Sequence, residues 1–72
     1  MSPDRMMRMA NQIATFFATQ PGPGQAEAVA AHINDYWEPR MRAQLLDHGA
    51  TGGEGLHPLV LDAIAHIRAP VA

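Results

Sequence analysis

The sequence predicts an all-α protein, a small bundle of three to four short helices that forms a single domain over residues 1–72. Three observations predict this fold class. Apolar residues recur at steps of three and four, which is the period of one helix face. Two stretches rich in helix breakers, TQPGPG at 19–24 and GATGGEG at 49–55, separate the apolar segments. No segment alternates apolar and polar residues with the period of a strand.

The first two helices are expected at about 3–19 and 25–36. Ser2 can cap the first helix, because Pro3 suits the first helical position and Asp4 suits the positive end of the helix dipole. The prolines and glycines of the first breaker stretch then end this helix. The expected apolar faces are Met6, Met9, Ala10, Ile13, Phe16 and Phe17 on the first helix, and Ala26, Val29, Ala30, Ile33 and Trp37 on the second.

The third helix is expected at about 39–48. Pro39 disfavours helical geometry at the residue before it, so Trp37 and Glu38 should form a corner between two helices. Gly49 is predicted to end the third helix in a left-handed conformation. The apolar side of this helix comprises Met41, Leu45 and Leu46.

The fourth helix is expected at about 58–68. Its apolar residues cover more than a narrow stripe, because Leu61 and Ala65 fall outside the main face. We therefore expect this helix to be buried on two sides. The main face comprises Leu56, Leu59, Val60, Ala63, Ile64 and Ile67.

Composition excludes several classes of site. The chain has no cysteine, which excludes disulfides and thiolate zinc sites. Its net charge is −2 and all five basic residues are arginine, so a nucleic-acid partner is not expected. No apolar run approaches the roughly 18–20 residues that cross a bilayer, and MSPDRMMRM lacks the apolar core of a signal peptide. We expect a cytoplasmic protein that does not bind a membrane.

No residue pattern predicts catalysis, cofactor binding or a metal site in this chain. The four histidines lack the spacing of a metal motif, and His32 with Asp35 supplies only two ligands on one helix face. GATGGEGL has neither the lysine nor the preceding strand of a phosphate-binding loop. A core this small rarely supplies more than about 3–5 kcal/mol, so a partner that completes the fold is a serious candidate.

The stretch WEPRMR, residues 37–42, is the strongest candidate for a partner interface. Tryptophan and arginine are the residues most enriched at binding hot spots, so Trp37, Arg40 and Arg42 are the predicted centre. The alternative is that Trp37 anchors the core while the arginines lie in solvent or pair internally. The full predicted interface is Phe16, Phe17, Tyr36, Trp37, Glu38, Arg40, Met41 and Arg42.

Three blocks in order resemble the delta subunit of cytosolic, NAD-dependent, molybdenum-containing formate dehydrogenase. They are MANQIATFFATQP (9–21), VAAHINDYWEPRMRAQLLDH (29–48) and GGEGLHPLVLDAI (52–64), of which HINDYWEPRMR is the specific part. The resemblance implies a small accessory subunit of a complex that oxidises formate to carbon dioxide and passes the electrons to NAD. It also implies a large subunit with molybdenum held by two pterin guanine dinucleotides and iron–sulfur clusters, and further subunits with a flavin.

On this resemblance the chain is a non-catalytic subunit that binds the large molybdenum-containing subunit and supports assembly, cofactor retention or stability. One alternative is a transient assembly chaperone for insertion of the molybdenum cofactor, which leaves the mature enzyme. A free-standing regulatory or DNA-binding helical protein is a third reading, which the acidic net charge opposes. An independent enzyme is a fourth. The isolated chain is also a candidate for self-association.

Overall fold

The structure describes residues 2–70. This part of the chain contains four α-helices and one 3-10 turn, joined by loops. The structure is a computed structural model. It confirms the predicted all-α fold class. The helices are α1 (Pro3–Ala18), α2 (Gln25–Tyr36), α3 (Pro39–Ala50) and α4 (Pro58–Ala63), and the 3-10 turn is Ile64–His66.

Helix starts follow the local signals in the sequence. The Ser2 hydroxyl accepts a hydrogen bond from the backbone N–H of Arg5 at 3.2 Å, which satisfies one of the free donors at the start of α1. Trp37 and Glu38 both have extended backbone, and α3 then begins at Pro39. The corner between α2 and α3 therefore lies where the proline predicts it.

The prediction that Gly49 ends α3 is wrong. The helix continues through this glycine to Ala50, and the residues with positive φ in the loop that follows are Gly52, Gly53 and Gly55, at 120°, 67° and 85°. A Cβ atom on Gly49 would lie 2.5 Å from Cδ1 of Ile64. The glycine therefore serves close packing between α3 and the 3-10 turn.

The fourth helix is shorter than expected. At its end, the side chain of Asn34 forms hydrogen bonds with the backbone. Asn34 Nδ2 donates to the carbonyl of His66 at 3.1 Å, and its Oδ1 accepts from the N–H of Arg68 at 2.9 Å. The N–H of Arg68 thus bonds to Asn34 and not within a longer helix, and the His66 carbonyl would find no helical donor, because residue 70 is proline. After α4 the chain continues as the 3-10 turn and becomes extended at Ile67.

A second asparagine holds the other end of α4. Asn11 Nδ2 donates to the carbonyl of Gly55 at 2.9 Å, and its Oδ1 accepts from the N–H of His57 at 2.8 Å. His57 in turn caps α4, since its Nδ1 accepts from the N–H of Leu59 at 3.0 Å. Asn11 on α1 and Asn34 on α2 thus fix the two ends of this short helix.

The core lies between α2 and its neighbours, since α2 contacts both α1 and α4. Trp37 belongs to the core, with 6% of its surface exposed. On α4 only the main face is buried, and Leu61 is 43% exposed, so the expected burial on two sides is wrong. Within residues 2–70 no polar side chain is buried. The buried apolar residues are Met6, Ala10, Ala14, Val29, Ala30, Ile33, Trp37, Leu45, Leu56, Val60, Ala63 and Ile67.

Candidate functional site

Four ring side chains form a continuous row on the surface where α1 and α2 meet. The ring centroids of Phe16 and Phe17 are 5.1 Å apart, and their planes meet at 78°. Phe17 lies 6.3 Å from the ring of His32, which lies 4.8 Å from the ring of Tyr36. Edge-to-face and tilted rings at these distances attract one another. We call Phe16, Phe17, His32 and Tyr36 the aromatic row.

The two ends of the row are its most exposed members. Phe16 is 60% exposed and Tyr36 is 76% exposed, whereas Phe17 and His32 are half-buried. Of the inner pair, Phe17 packs against the core. Single exposed apolar residues are common, but exposed apolar side chains in contact mark interaction sites.

Local sequence explains why the row forms at this place. Thr19 caps the last turn of α1, because its hydroxyl donates to the Phe16 carbonyl at 2.6 Å. The Gln25 side chain then donates to the Gln20 carbonyl at 2.6 Å and closes the connection between the two helices. His32 and Tyr36 are four residues apart on α2, so their rings share one helix face.

A shallow, mainly apolar groove of about 280 Å³ runs beside the row. Gln12 and Ile13 from α1 line it together with Phe16, Phe17 and His32. Its size suits one or two large side chains of a partner. It is open to solvent, which fits docking of a protein surface better than enclosure of a small substrate.

The WEPRMR corner divides into buried and exposed residues. The Trp37 ring is in the core, and its carbonyl accepts from Arg42 Nη1 at 2.9 Å. Met41 is half-buried against the core. Glu38 and Arg40 are exposed. With Pro39, these two residues are the exposed part of the corner that follows Tyr36 in the chain.

The predicted interface residues therefore fall into two sets. Phe16, Phe17 and Tyr36 lie together in the aromatic row, and the remaining five form the corner that follows Tyr36 in the chain. Sequence reasoning missed His32, which links the two sides of the row. Its spacing of four from Tyr36 was the available signal.

Another groove, of about 580 Å³, lies along α1. Two of its polar side chains have structural partners, since Asn11 holds the loop before α4 and the Thr15 hydroxyl donates to the Asn11 carbonyl at 2.9 Å. Within residues 2–70 no group of three or more histidines and carboxylates is placed to hold a metal ion. Over the same residues no helix combines the length and apolar character needed to span a bilayer.

One family matches this chain over most of its length. The family described as "NADH-dependant formate dehydrogenase delta subunit FdsD" matches residues 5–64 of the 72. The match includes all four members of the aromatic row and the whole WEPRMR corner. No curated protein matches the chain.

Proposed function

Because this chain belongs to the family of NADH-dependent formate dehydrogenase delta subunits, we propose that it is a non-catalytic accessory subunit of that complex. It binds the large molybdenum-containing subunit and supports assembly, cofactor retention or stability. One observation carries the proposal: Phe16 and Tyr36 stay 60% and 76% exposed in a chain that buries its tryptophan. Exposed aromatic side chains in contact are typical of a binding surface.

The aromatic row is the proposed centre of the contact, and Glu38 and Arg40 are its polar rim. Trp37 and Arg42 act from behind this surface, because the buried ring and the guanidinium hold the backbone that follows Tyr36. Met41 packs beneath them. The predicted interface residues thus have two roles, direct contact and support of the contacting residues.

We assign catalysis and cofactor binding in the complex to the other subunits. This chain has no cysteine to bind an iron–sulfur cluster, and its open grooves do not enclose a substrate. The molybdenum bis-pterin guanine dinucleotide, the clusters and the flavin therefore lie in partner chains of a cytoplasmic complex. This chain contributes a binding surface for the large subunit and stability to the complex.

The isolated chain is proposed to self-associate weakly through the same aromatic row. Without the large subunit, Phe16 and Tyr36 face water, and a second copy offers an apolar surface of the same kind. Addition of the large subunit should compete with this contact. Sedimentation at rising concentration measures it, and a purely monomeric chain at high concentration would contradict it.

The test is to purify the complex with and without this chain and to measure stoichiometry, molybdenum content and formate-to-NAD activity. A permanent subunit is present at one copy per large subunit. Joint loss of molybdenum and activity in its absence indicates cofactor insertion or retention, whereas full loading with faster decay indicates stabilisation. A substoichiometric chain in fully loaded enzyme favours the transient assembly chaperone instead. Unchanged enzyme from which the chain is always absent would contradict both readings.

A further inference from the structure

Along the chain, Tyr36 at the end of the aromatic row is flanked by two exposed carboxylate residues. Asp35 precedes it in the last turn of α2, and Glu38 follows it at the start of α3. Tyr36 is 76% exposed, and both carboxylate residues are exposed as well. With the exposed Arg40 counted, two carboxylates and one guanidinium leave this end of the row with a net negative charge.

Asp35 stands where a carboxylate is unfavourable for the isolated chain. It lies at the negative end of the α2 dipole, and the last turn of that helix has no basic residue to offset it. No ion pair involves its carboxylate within residues 2–70. A cation from outside the chain would offset this unfavourable interaction with the helix dipole.

Glu38 is also left available. It occupies the N-cap position of α3, yet its side chain makes no capping hydrogen bond. Arg40 is exposed two residues further on, but the two side chains form no ion pair in the described part of the chain. Glu38 therefore keeps its acceptor oxygens free in solvent beside Tyr36.

We propose that this end of the aromatic row docks an arginine-bearing segment of the large subunit, an inference that rests on the proposed function. A guanidinium stacks on an aromatic face and at the same time donates hydrogen bonds to carboxylates. Tyr36 supplies the face, and Asp35 and Glu38 supply the acceptors. Apolar side chains of the same segment fill the groove beside Phe16 and Phe17.

Charge complementarity selects this occupant over others. A purely apolar segment would leave Asp35 and Glu38 facing a desolvated surface without partners, which is costly. An acidic segment would be repelled. Arginine suits the site better than lysine, because its planar group is less strongly hydrated and stacks on rings.

The test measures the affinity of the chain for the purified large subunit at low and at high salt. The charge variant is Asp35→Asn/Glu38→Gln, and its control is Glu54→Gln/Asp62→Asn, which removes two exposed carboxylates elsewhere. A second pair of variants distinguishes the contribution of the aromatic ring from that of apolar volume. Tyr36→Phe keeps the aromatic face, and Tyr36→Leu keeps only apolar volume. All of these positions are exposed, so folding should be retained, and thermal melting checks this.

We expect the charge variant to bind about tenfold more weakly at low salt and to lose most of the salt dependence of the wild type. Its control should bind within about twofold of the wild type. Tyr36→Leu should weaken binding roughly fivefold to tenfold, and Tyr36→Phe should not.

Wild-type affinity in both the charge variant and Tyr36→Leu would overturn the arginine assignment while the proposed function stood. Failure of the wild-type chain itself to bind the large subunit would overturn the proposed function as well. Binding that weakens equally in the charge variant and in its control would show a general charge effect and would also overturn the assignment.

Discussion

The guanidinium of Arg42 donates from Nη1 to the carbonyl oxygen of Trp37 at 2.9 Å. That carbonyl lies at the end of α2, where helix carbonyls lack partners within the helix. The same guanidinium donates through Nε to the carbonyl of Arg68 at 3.1 Å. Arg42 therefore joins the corner between α2 and α3 to the chain that follows α4.

Arg42→Met should lower the free energy of unfolding by about 1–3 kcal/mol, because it removes both charge-assisted hydrogen bonds and keeps the aliphatic stem. Arg40→Met is the matched control, since Arg40 is exposed, and it should change stability by at most about 0.5 kcal/mol. Urea unfolding followed by Trp37 fluorescence measures both. Equal stability of the two variants would contradict the role given to Arg42.

Asn11→Ala should destabilise the chain by about 1–3 kcal/mol. The substitution leaves the carbonyl of Gly55 and the N–H of His57 without the side chain that bonds them both. The neighbouring exposed residue offers a control, because Gln12→Ala removes an amide of the same kind from the same helix. Thermal melting should separate the two variants, and coincident melting curves would refute the importance of this contact.

Gly53→Ala should lower stability by about 1–3 kcal/mol for two reasons. The residue has φ of 67°, which costs an alanine backbone energy, and the added Cβ would lie 2.5 Å from Cδ2 of Leu61. Leu61 Cδ2 is the end of a flexible side chain that can move aside, so the backbone cost should dominate. Denaturant unfolding measures the loss, and wild-type stability in Gly53→Ala would contradict the cost assigned to the left-handed backbone.

Ile33→Ala and Tyr36→Ala should differ sharply although both lie on α2. Ile33 is fully buried, so its truncation should cost about 2–5 kcal/mol through lost contacts and a cavity. Tyr36 is mostly exposed, so its truncation should change stability by no more than about 0.5 kcal/mol. Chemical unfolding tests this contrast. A large loss in Tyr36→Ala would mean that the ring serves folding and not a partner.

The sequence predicted those parts of the fold that depend on neighbouring residues. Ser2 and Pro39 start helices through local geometry, and the helical period identifies the buried Val29, Ala30 and Ile33 of α2. On α1 the predicted face included Phe16, which is 60% exposed, and omitted the buried Ala14. Gly49 and the end of α4 were predicted incorrectly, because distant contacts decide them. Gly49 makes room for Ile64, and Asn34 bonds to backbone 32 and 34 residues away.

The candidate site was predictable to a similar extent. Phe16, Phe17 and Tyr36 stood out as aromatic residues, and the structure places them in one row with His32. Trp37 continues the apolar stripe of α2, yet the sequence does not separate a core tryptophan from an interface one. Arg42 differs from Arg40 in its bonds to the carbonyl of Trp37 and to a carbonyl 26 residues away, and no local pattern reveals the second bond.

The proposed contact surface is tested most directly by the affinity of the chain for the purified large subunit of formate dehydrogenase. The comparison is wild type, Phe16→Ala/Tyr36→Ala, and Leu61→Ala as the control, because Leu61 is also an exposed large apolar residue. We predict that the double variant melts like the wild type but binds at least about thirtyfold more weakly, as expected for loss of a hot spot of about 2 kcal/mol, and that the control binds normally. Wild-type affinity in the double variant would contradict the claim that the aromatic row is the contact surface.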